Sequence, residues 1–321
     1  MIDFTKQFKE GAEAAENVKV AGKFDRVIFC GMGGSIIPAE MISLLWLEGL
    51  NFYIHRTFGI PHWANKKCLV VCTSWSGDTE ETISSFEAAV RAGVPVAVIT
   101  KGGKLLALAQ KHKIPYVVLP QDNAPARYGA GYMLAALLTL LTNSAILDNN
   151  PVSSFSSAAL TPGSVPGLAR PNFAKQNLGG LAARISDKTP LIYSSYRWRY
   201  LARFWKIFFN EDCKLHSFSN YFPEAAHNEI AGFTATKREV YFPIILIDPD
   251  EETADQSKLN QLANFFNRLT IDSQTLSLGV KTRLEKILNS YYLAGSTAEA
   301  LAEKLGVDPL DNSMIEAFKK S

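Results

Sequence analysis

From Arg26 onward the chain alternates between short apolar runs and helical segments, and it does so twice. The runs RVIFC (26–30), NFYIH (51–55), CLVVCTS (68–74), VPVAVIT (94–100) and IPYVVL (114–119) are separated by helical stretches that include 38–48, 80–93 and 104–113. A strand that is apolar at consecutive positions, rather than at alternate ones, is covered on both faces, and crossover helices between such strands make a parallel sheet. After residue 173 the alternation resumes: helix 174–186, strand 189–195, helix 196–211, strand 214–218, strand 240–248, helix 251–268 and strand 269–276. Closing helices follow over 280–305 and 308–320. The pattern predicts an α/β chain of two doubly wound parallel-sheet domains, one echoing the other. Its 321 residues suit two domains, at roughly 100–200 residues each. The stretch 148–173, rich in Ser, Pro and Asn, reads as the linker, with domains 1–153 and 154–321.

Composition narrows the function. With 33 Lys and Arg against 31 Asp and Glu, the chain lacks the basic excess of a nucleic-acid binder or an electrostatic membrane binder. Cys30, Cys68, Cys72 and Cys213 include no C-x-x-C pair, and three of them lie in or beside apolar runs, which argues against zinc and disulfides. The segment 129–147 approaches membrane-spanning length, but Thr142, Asn143 and Ser144 interrupt it and no basic cluster flanks it. It is expected as a helix buried between domains or subunits rather than in a membrane. The first 19 residues form a polar, amphipathic helix without the apolar core of a secretory leader, so a cytoplasmic, reducing setting is expected.

Two loops carry the chemistry of the first half. Strand 26–30 runs into Gly31-Met32-Gly33-Gly34-Ser35 before a helix, where glycines admit a ligand to the backbone and the helix start offers N–H groups to an anion. A dinucleotide fingerprint fails here: its third glycine would fall on Ile36, and the next strand ends in His55-Arg56 rather than an acid. Arg56 could still serve a 2′-phosphate, which keeps a dehydrogenase open. The second loop, Ser74-Trp75-Ser76-Gly77-Asp78-Thr79, sets three hydroxyls around a glycine at another helix start. It suits a phosphate held by neutral donors; alternatively Thr79 is simply an N-cap.

These motifs resemble the sugar isomerase (SIS) domain. The pairing of two such halves is similar to the bifunctional phosphoglucose/phosphomannose isomerases. The resemblance continues through Ala126-Arg127-Tyr128-Gly129, Asn210-Glu211-Asp212-Cys213-Lys214, Pro223 to Glu229 (PEAAHNE) and the closing Ile315-Glu316-Ala317-Phe318-Lys319, so its islands span nearly the whole chain in order. It implies two flavodoxin-like SIS domains and reversible conversion of glucose 6-phosphate, mannose 6-phosphate or both to fructose 6-phosphate, without metal or cofactor, in the crevice between the domains. It further implies that Gly34, Ser35, Ser74, Ser76 and Thr79 bind the phosphate and that Arg127 stabilises an enediolate-like intermediate. Glu211 would be the base moving a proton between C2 and C1, and His227 with Lys319 would open the ring. The histidine is offered across the interface of a homodimer in such relatives.

The chemistry is consistent with those roles. An aldose–ketose isomerase needs a carboxylate that accepts and returns a proton, a cation beside the developing oxyanion, and an imidazole near neutral pH. Each residue also has a plain alternative. Glu211 would be a surface carboxylate at a helix end, His227 a packed loop histidine, Arg127 a salt-bridge partner, and Lys319 replaceable by Lys320. His55, His62, His112 and His216 have no such setting. Three departures stand out: Ile36 where the family usually has Gly or Ala, Trp75 for Tyr, and Asp78 for Asn, which puts a negative charge into the phosphate loop. Other possibilities are a non-catalytic sugar-phosphate sensor and an SIS isomerase of amino-sugar phosphates.

Overall fold

The continuous apolar runs become parallel strands buried on both faces. In the computed structural model, which describes residues 2–45, 47, 49–148, 175–234, 238–279 and 282–319, the chain divides into two compact units, Met1–Pro166 and Gly167–Ser321. The division and the expected 153/154 boundary both lie outside the described residues, as does nearly all of the expected linker.

The first unit holds β1 (Arg26–Cys30), β2 (Phe52–His55), β3 (Cys68–Ser74), β4 (Val96–Thr100) and β5 (Tyr116–Val118). They form one parallel sheet in the order β2-β1-β3-β4-β5. Every residue of β3 and β4 is buried, which is why neither shows an alternating pattern. The register pairs Cys30 with Cys72 and Ser74 with Thr100, so the loops after β1, β3 and β4 leave the same edge. Helices α1 (Phe4–Ala15), α2 (Ile37–Leu45), α3 (Glu80–Ala92), α4 (Gly103–Lys111) and α5 (Ala130–Asn143) cover the sheet. The apolar segment near 129–147 is α5, buried from Ala130 through Leu141 against its neighbours. Among the described residues no helix is long and apolar enough to cross a membrane. Ile36 is buried in the core.

The second unit repeats the plan with α6 (Lys175–Ile185), β6 (Thr189–Ser195), α7 (Arg199–Asp212), β7 (Phe218–Phe222), β8 (Tyr241–Ile247), α8 (Thr253–Arg268), β9 (Gln274–Ser277), α9 (Arg283–Leu305) and α10 (Ser313–Lys319). Its parallel sheet runs β7-β6-β8-β9, the same 2-1-3-4 sequence as the first sheet, with four strands among the described residues. The strand expected at 214–218 instead runs from Phe218 to Phe222. Lys214 takes a left-handed backbone, and β7 is an edge strand of mixed exposure that hydrogen-bonds only to β6, so no apolar run marks it. The four cysteines are free and buried, and burial pushes the Cys213 thiol up to about 12.

Candidate active site

In an open α/β sheet of this order the crevice lies where the connections diverge, beyond the carboxyl ends of the first and third strands. For the first unit that is the edge where β1 and β3 end. The glycine turn after β1 continues into a short 3-10 turn, Gly33–Ile36, and the second loop leads from Ser74 into α3. Trp75 N–H donates to Ser35 Oγ at 2.9 Å, joining the two loops. A Cβ on Gly34 would fall 2.7 Å from the backbone nitrogen of Arg127, so the 3-10 turn Ala126–Gly129 lies directly on the first loop. The structure therefore gathers Gly34, Ser35, Ser74, Ser76, Thr79 and Arg127 at one edge.

The hydrogen bonds of the hydroxyls decide what they can bind. Ser35 Oγ accepts from Trp75 N–H, Ser74 Oγ accepts from Gly77 N–H at 3.1 Å, and Ser76 Oγ accepts from Asp78 N–H at 3.2 Å. Ser74 Oγ also shares a hydrogen bond with Thr79 Oγ1 at 2.9 Å. A hydroxyl whose lone pair is taken by an N–H keeps its proton for another acceptor. Thr79 stands at the N-cap of α3 but its side chain caps no N–H; its hydroxyl is paired with Ser74. The first turn of α3 thus keeps its positive end for an anion.

The departures from the family pattern find places. Asp78 Oδ1 accepts from Lys104 N–H at 2.9 Å, so its charge serves the start of α4. Trp75 is buried, its Nε1–H donates to Ala124 O at 2.9 Å, and its ring rests where a Cβ on Gly129 would lie only 2.2 Å away. Gly77, with φ of 82°, meets the loop after β4: a Cβ there would come 1.8 Å from Gly102 O. Arg56 pairs with the fully buried carboxylate of Glu40, which removes it as a ready partner for a 2′-phosphate.

The residues of the second unit fall into two groups. Glu211, partly buried, lies in the last turn of α7. Its neighbour Asn210 accepts from Ser217 N–H at 2.9 Å, just before β7 begins. Lys214 Nζ donates to Glu211 O and to Asp311 O, both at 2.6 Å, tying this corner to the start of α10. Lys319, in that helix, is exposed and pairs with Glu316 at 2.7 Å. His227, exposed, ends a 3-10 turn that follows the other end of β7. That turn is anchored by Glu229, whose two oxygens accept from Tyr193 Oη–H at 2.6 Å and Asn220 Nδ2–H at 2.5 Å. Five residues of strand, about 16 Å at ~3.3 Å each, separate the ends of β7 near Glu211 and His227.

At the crevice edge of the second sheet the loop after β8 has a different character. Asp248 accepts from Trp198 Nε1–H at 3.0 Å and from buried Lys286 Nζ at 2.6 Å, and Lys286 also reaches Asp250 at 2.7 Å. Burial opposes the Lys286 charge, but those two carboxylates outweigh it and hold the ammonium above its usual range. Glu251 Oε1 accepts from Ser195 Oγ–H, while its buried Oε2 meets no hydrogen-bond donor among the described residues. Burial raises the Glu251 carboxyl above its ordinary value, against the opposing hydrogen bond from Ser195. Among the described residues no group of His, Cys, Asp and Glu is arranged to hold a metal ion.

Sequence patterns missed Lys101, which stands beside the indole of Trp75, and the anchoring of Glu229 by Tyr193 and Asn220. The motif PEAAHNE did contain Glu229, but Lys101 carries no local signal.

Residues 174–321 match the bacterial phospho-glucose isomerase C-terminal SIS domain. The chain is 28% identical to the bifunctional phosphoglucose/phosphomannose isomerase of Aquifex aeolicus, over 92% of this chain and 89% of that one. It is equally identical to the enzyme of the same name from Thermoplasma volcanium, over 93% and 92%. A D-glucosamine-6-phosphate 4-epimerase of Sulfolobus acidocaldarius is also 28% identical, over 94% and 90%. In fold, the C-terminal domain of glucosamine-fructose-6-phosphate aminotransferase from Francisella tularensis superposes with a TM-score of 0.70 at 12% identity, covering 97% of this chain and 98% of that one. The similarity to bifunctional phosphoglucose/phosphomannose isomerases runs through both units, and not through one SIS half alone.

Proposed function

We propose that this protein is an aldose–ketose isomerase that interconverts glucose 6-phosphate and mannose 6-phosphate with fructose 6-phosphate through a cis-enediol, using side chains alone. The observation that carries the assignment is the hydroxyl turn of the first unit. Ser35, Ser74 and Ser76 accept N–H donors from the loops themselves, which leaves O–H donors for a small anion beside a helix start. The two aldoses differ only at C2 and share one enediol, so a single base serves both.

Glu211 takes the proton from C2 and returns it to C1, Arg127 faces the oxygen on which charge develops, and Lys319 with His227 exchanges protons with O1 and O5 during ring opening. Glu211 and the helix of Lys319 are tied together through Lys214. His227 follows the far end of β7, which supports its being supplied by a second copy of the chain in a homodimer.

A coupled assay on metal-free protein with each hexose phosphate tests the assignment; absence of turnover with both overturns it. Glu211→Gln should remove turnover, by about 10²–10⁴-fold for loss of a general base, while phosphosugar binding persists. A second activity, on amino-sugar phosphates, is favoured by the Sulfolobus relative, which matches over as much of the chain as the isomerases do. Preference for glucosamine 6-phosphate over glucose 6-phosphate in the same assay would select it.

A further inference from the structure

The loop that is to hold the phosphate contains no Lys or Arg, yet Lys101 stands beside it. Lys101 is the first residue after β4, and its N–H donates to Trp75 O at 3.4 Å. Its ammonium sits 4.5 Å from the centroid of the Trp75 ring and donates to the carbonyl of Asp122. Gln121 Nε2–H in turn donates to Lys101 O at 3.0 Å. On the other side Trp75 Nε1–H donates to Ala124 O, and Ala124 N–H donates to Asp122 Oδ1 at 2.8 Å. The segment 121–124 is thus fastened to Lys101 and Trp75 at three points.

What that segment leads into is Pro125 and the turn that bears Arg127. Tyr128 N–H donates to Pro125 O at 2.9 Å, and Tyr128 O accepts from buried Gln7 at 2.7 Å. Gly129 closes the turn against the Trp75 indole. Arg127 itself is only 1% exposed, and these attachments fasten the backbone turn that carries it. Trp75 meanwhile reaches Ser35 through its own N–H. A cation over an indole face is attracted by the ring, the more so when desolvated, and burial lowers the Lys101 ammonium from its ordinary value, with the nearby Asp122 carboxylate opposing.

We infer that Lys101 and Trp75 are positioning residues that lock the 121–129 segment to the phosphate loop and thereby place Arg127 for the oxyanion, Lys101 itself not touching the phosphate. This assignment rests on the isomerase proposal for the role of Arg127, but the clamp can be examined separately. It also gives the Trp75 departure a purpose, since the indole N–H and the wide ring face are both used.

The test compares Lys101→Met, Lys101→Arg and Trp75→Phe with the wild-type chain. Lys101→Met should lower kcat about tenfold to a hundredfold, as a misplaced group of the order of an ångström does, with KM for the hexose phosphate changed less than about twofold. Lys101→Arg, which keeps the charge over the ring and a donor for Asp122 O, should restore most of the loss. Trp75→Phe should fall between. Hydrogen exchange should quicken about tenfold across 121–129 in Lys101→Met and stay unchanged over 80–92. A rise in KM at constant kcat would make Lys101 a phosphate ligand and overturn the inference, as would unaltered kinetics or unaltered exchange at 121–129. Should Lys101→Met fail to fold, Trp75→Phe carries the same kinetic and exchange readouts. If the wild-type chain turns over neither hexose phosphate, the isomerase proposal fails, and the exchange experiment still decides whether the clamp exists.

Discussion

The loops after β3 and β8 occupy equivalent places in two sheets of the same strand order, yet they are chemical opposites. Each starts where the third strand of its unit ends and reaches the N-cap of the next helix five residues later, at Thr79 from Ser74 and at Glu252 from Ile247. The first presents hydroxyls whose lone pairs are taken by N–H groups of the loops. The second carries Asp248 and Asp250, both paired with Lys286, and Glu251, which accepts a hydroxyl from Ser195 and lies 3.9 Å from Arg197 Nε. Under the proposed function the first turn receives an anion from outside, whereas the other is filled with its own. Topology therefore tells where a crevice forms, while side chains decide whether it is a binding site or a structural joint.

The comparison can be broken most forcefully at the joint. Lys286→Met strips the buried Asp248 carboxylate of its cation, and breaking a buried pair in this way costs about 3–5 kcal/mol. Urea denaturation should show that loss, and Asp248→Asn added to Lys286→Met should recover part of it. If Lys286→Met is nearly as stable as the parent, the second loop is not the joint described. In the first loop the effect should fall on substrate. Ser76→Ala and Thr79→Ala each remove a hydrogen bond to a charged group, worth about 1.5–3 kcal/mol. They should raise KM about tenfold or more with kcat nearly kept, because the phosphate does not react.

Smaller in size is the response of Glu251 to pH. Its carboxyl is raised in the folded state, mainly by burial, so between the ordinary carboxylate range and that raised value the native chain binds more protons than the unfolded one. Stability then falls as pH rises through this window. Glu251→Gln should flatten that slope and raise the thermal midpoint at neutral pH; an unchanged slope would mean that the carboxylate is better satisfied than its orphaned oxygen indicates. The smallest effect belongs to Asp78→Asn. The amide can still accept from Lys104 N–H, since Asn and Asp cap about equally well, and the change in stability should stay within a few tenths of a kcal/mol. A large fall in KM would mean that the Asp78 charge reaches the phosphate after all.

The two sheets were legible because strands covered on both faces must be apolar throughout; β1, β3 and β6 begin and end where their apolar runs do. The edge strand β7 was not, because Phe218-Ser219-Asn220-Tyr221 answers to one neighbour and to solvent. The glycine and hydroxyl turns of the candidate site could be read locally, since turn chemistry depends on adjacent residues. The fastening of Lys101 to Asp122, or of Trp75 to Ala124 and Gly129, joins residues that sit on different loops and leaves no periodic trace. In the same way Asp78 looked like an intruder in a phosphate loop until the backbone of Lys104 appeared beside it.

The contact between Gly77 and Gly102 has a consequence for how this loop is able to change. With no room for even a methyl group between the two turns, inherited variation is steered toward positions whose side chains face away from that seam. Ser76, exposed, is where, under the proposed function, selection can retune affinity one substitution at a time, while any side chain at Gly77 would collide with the Gly102 carbonyl oxygen, which no substitution at Gly102 removes.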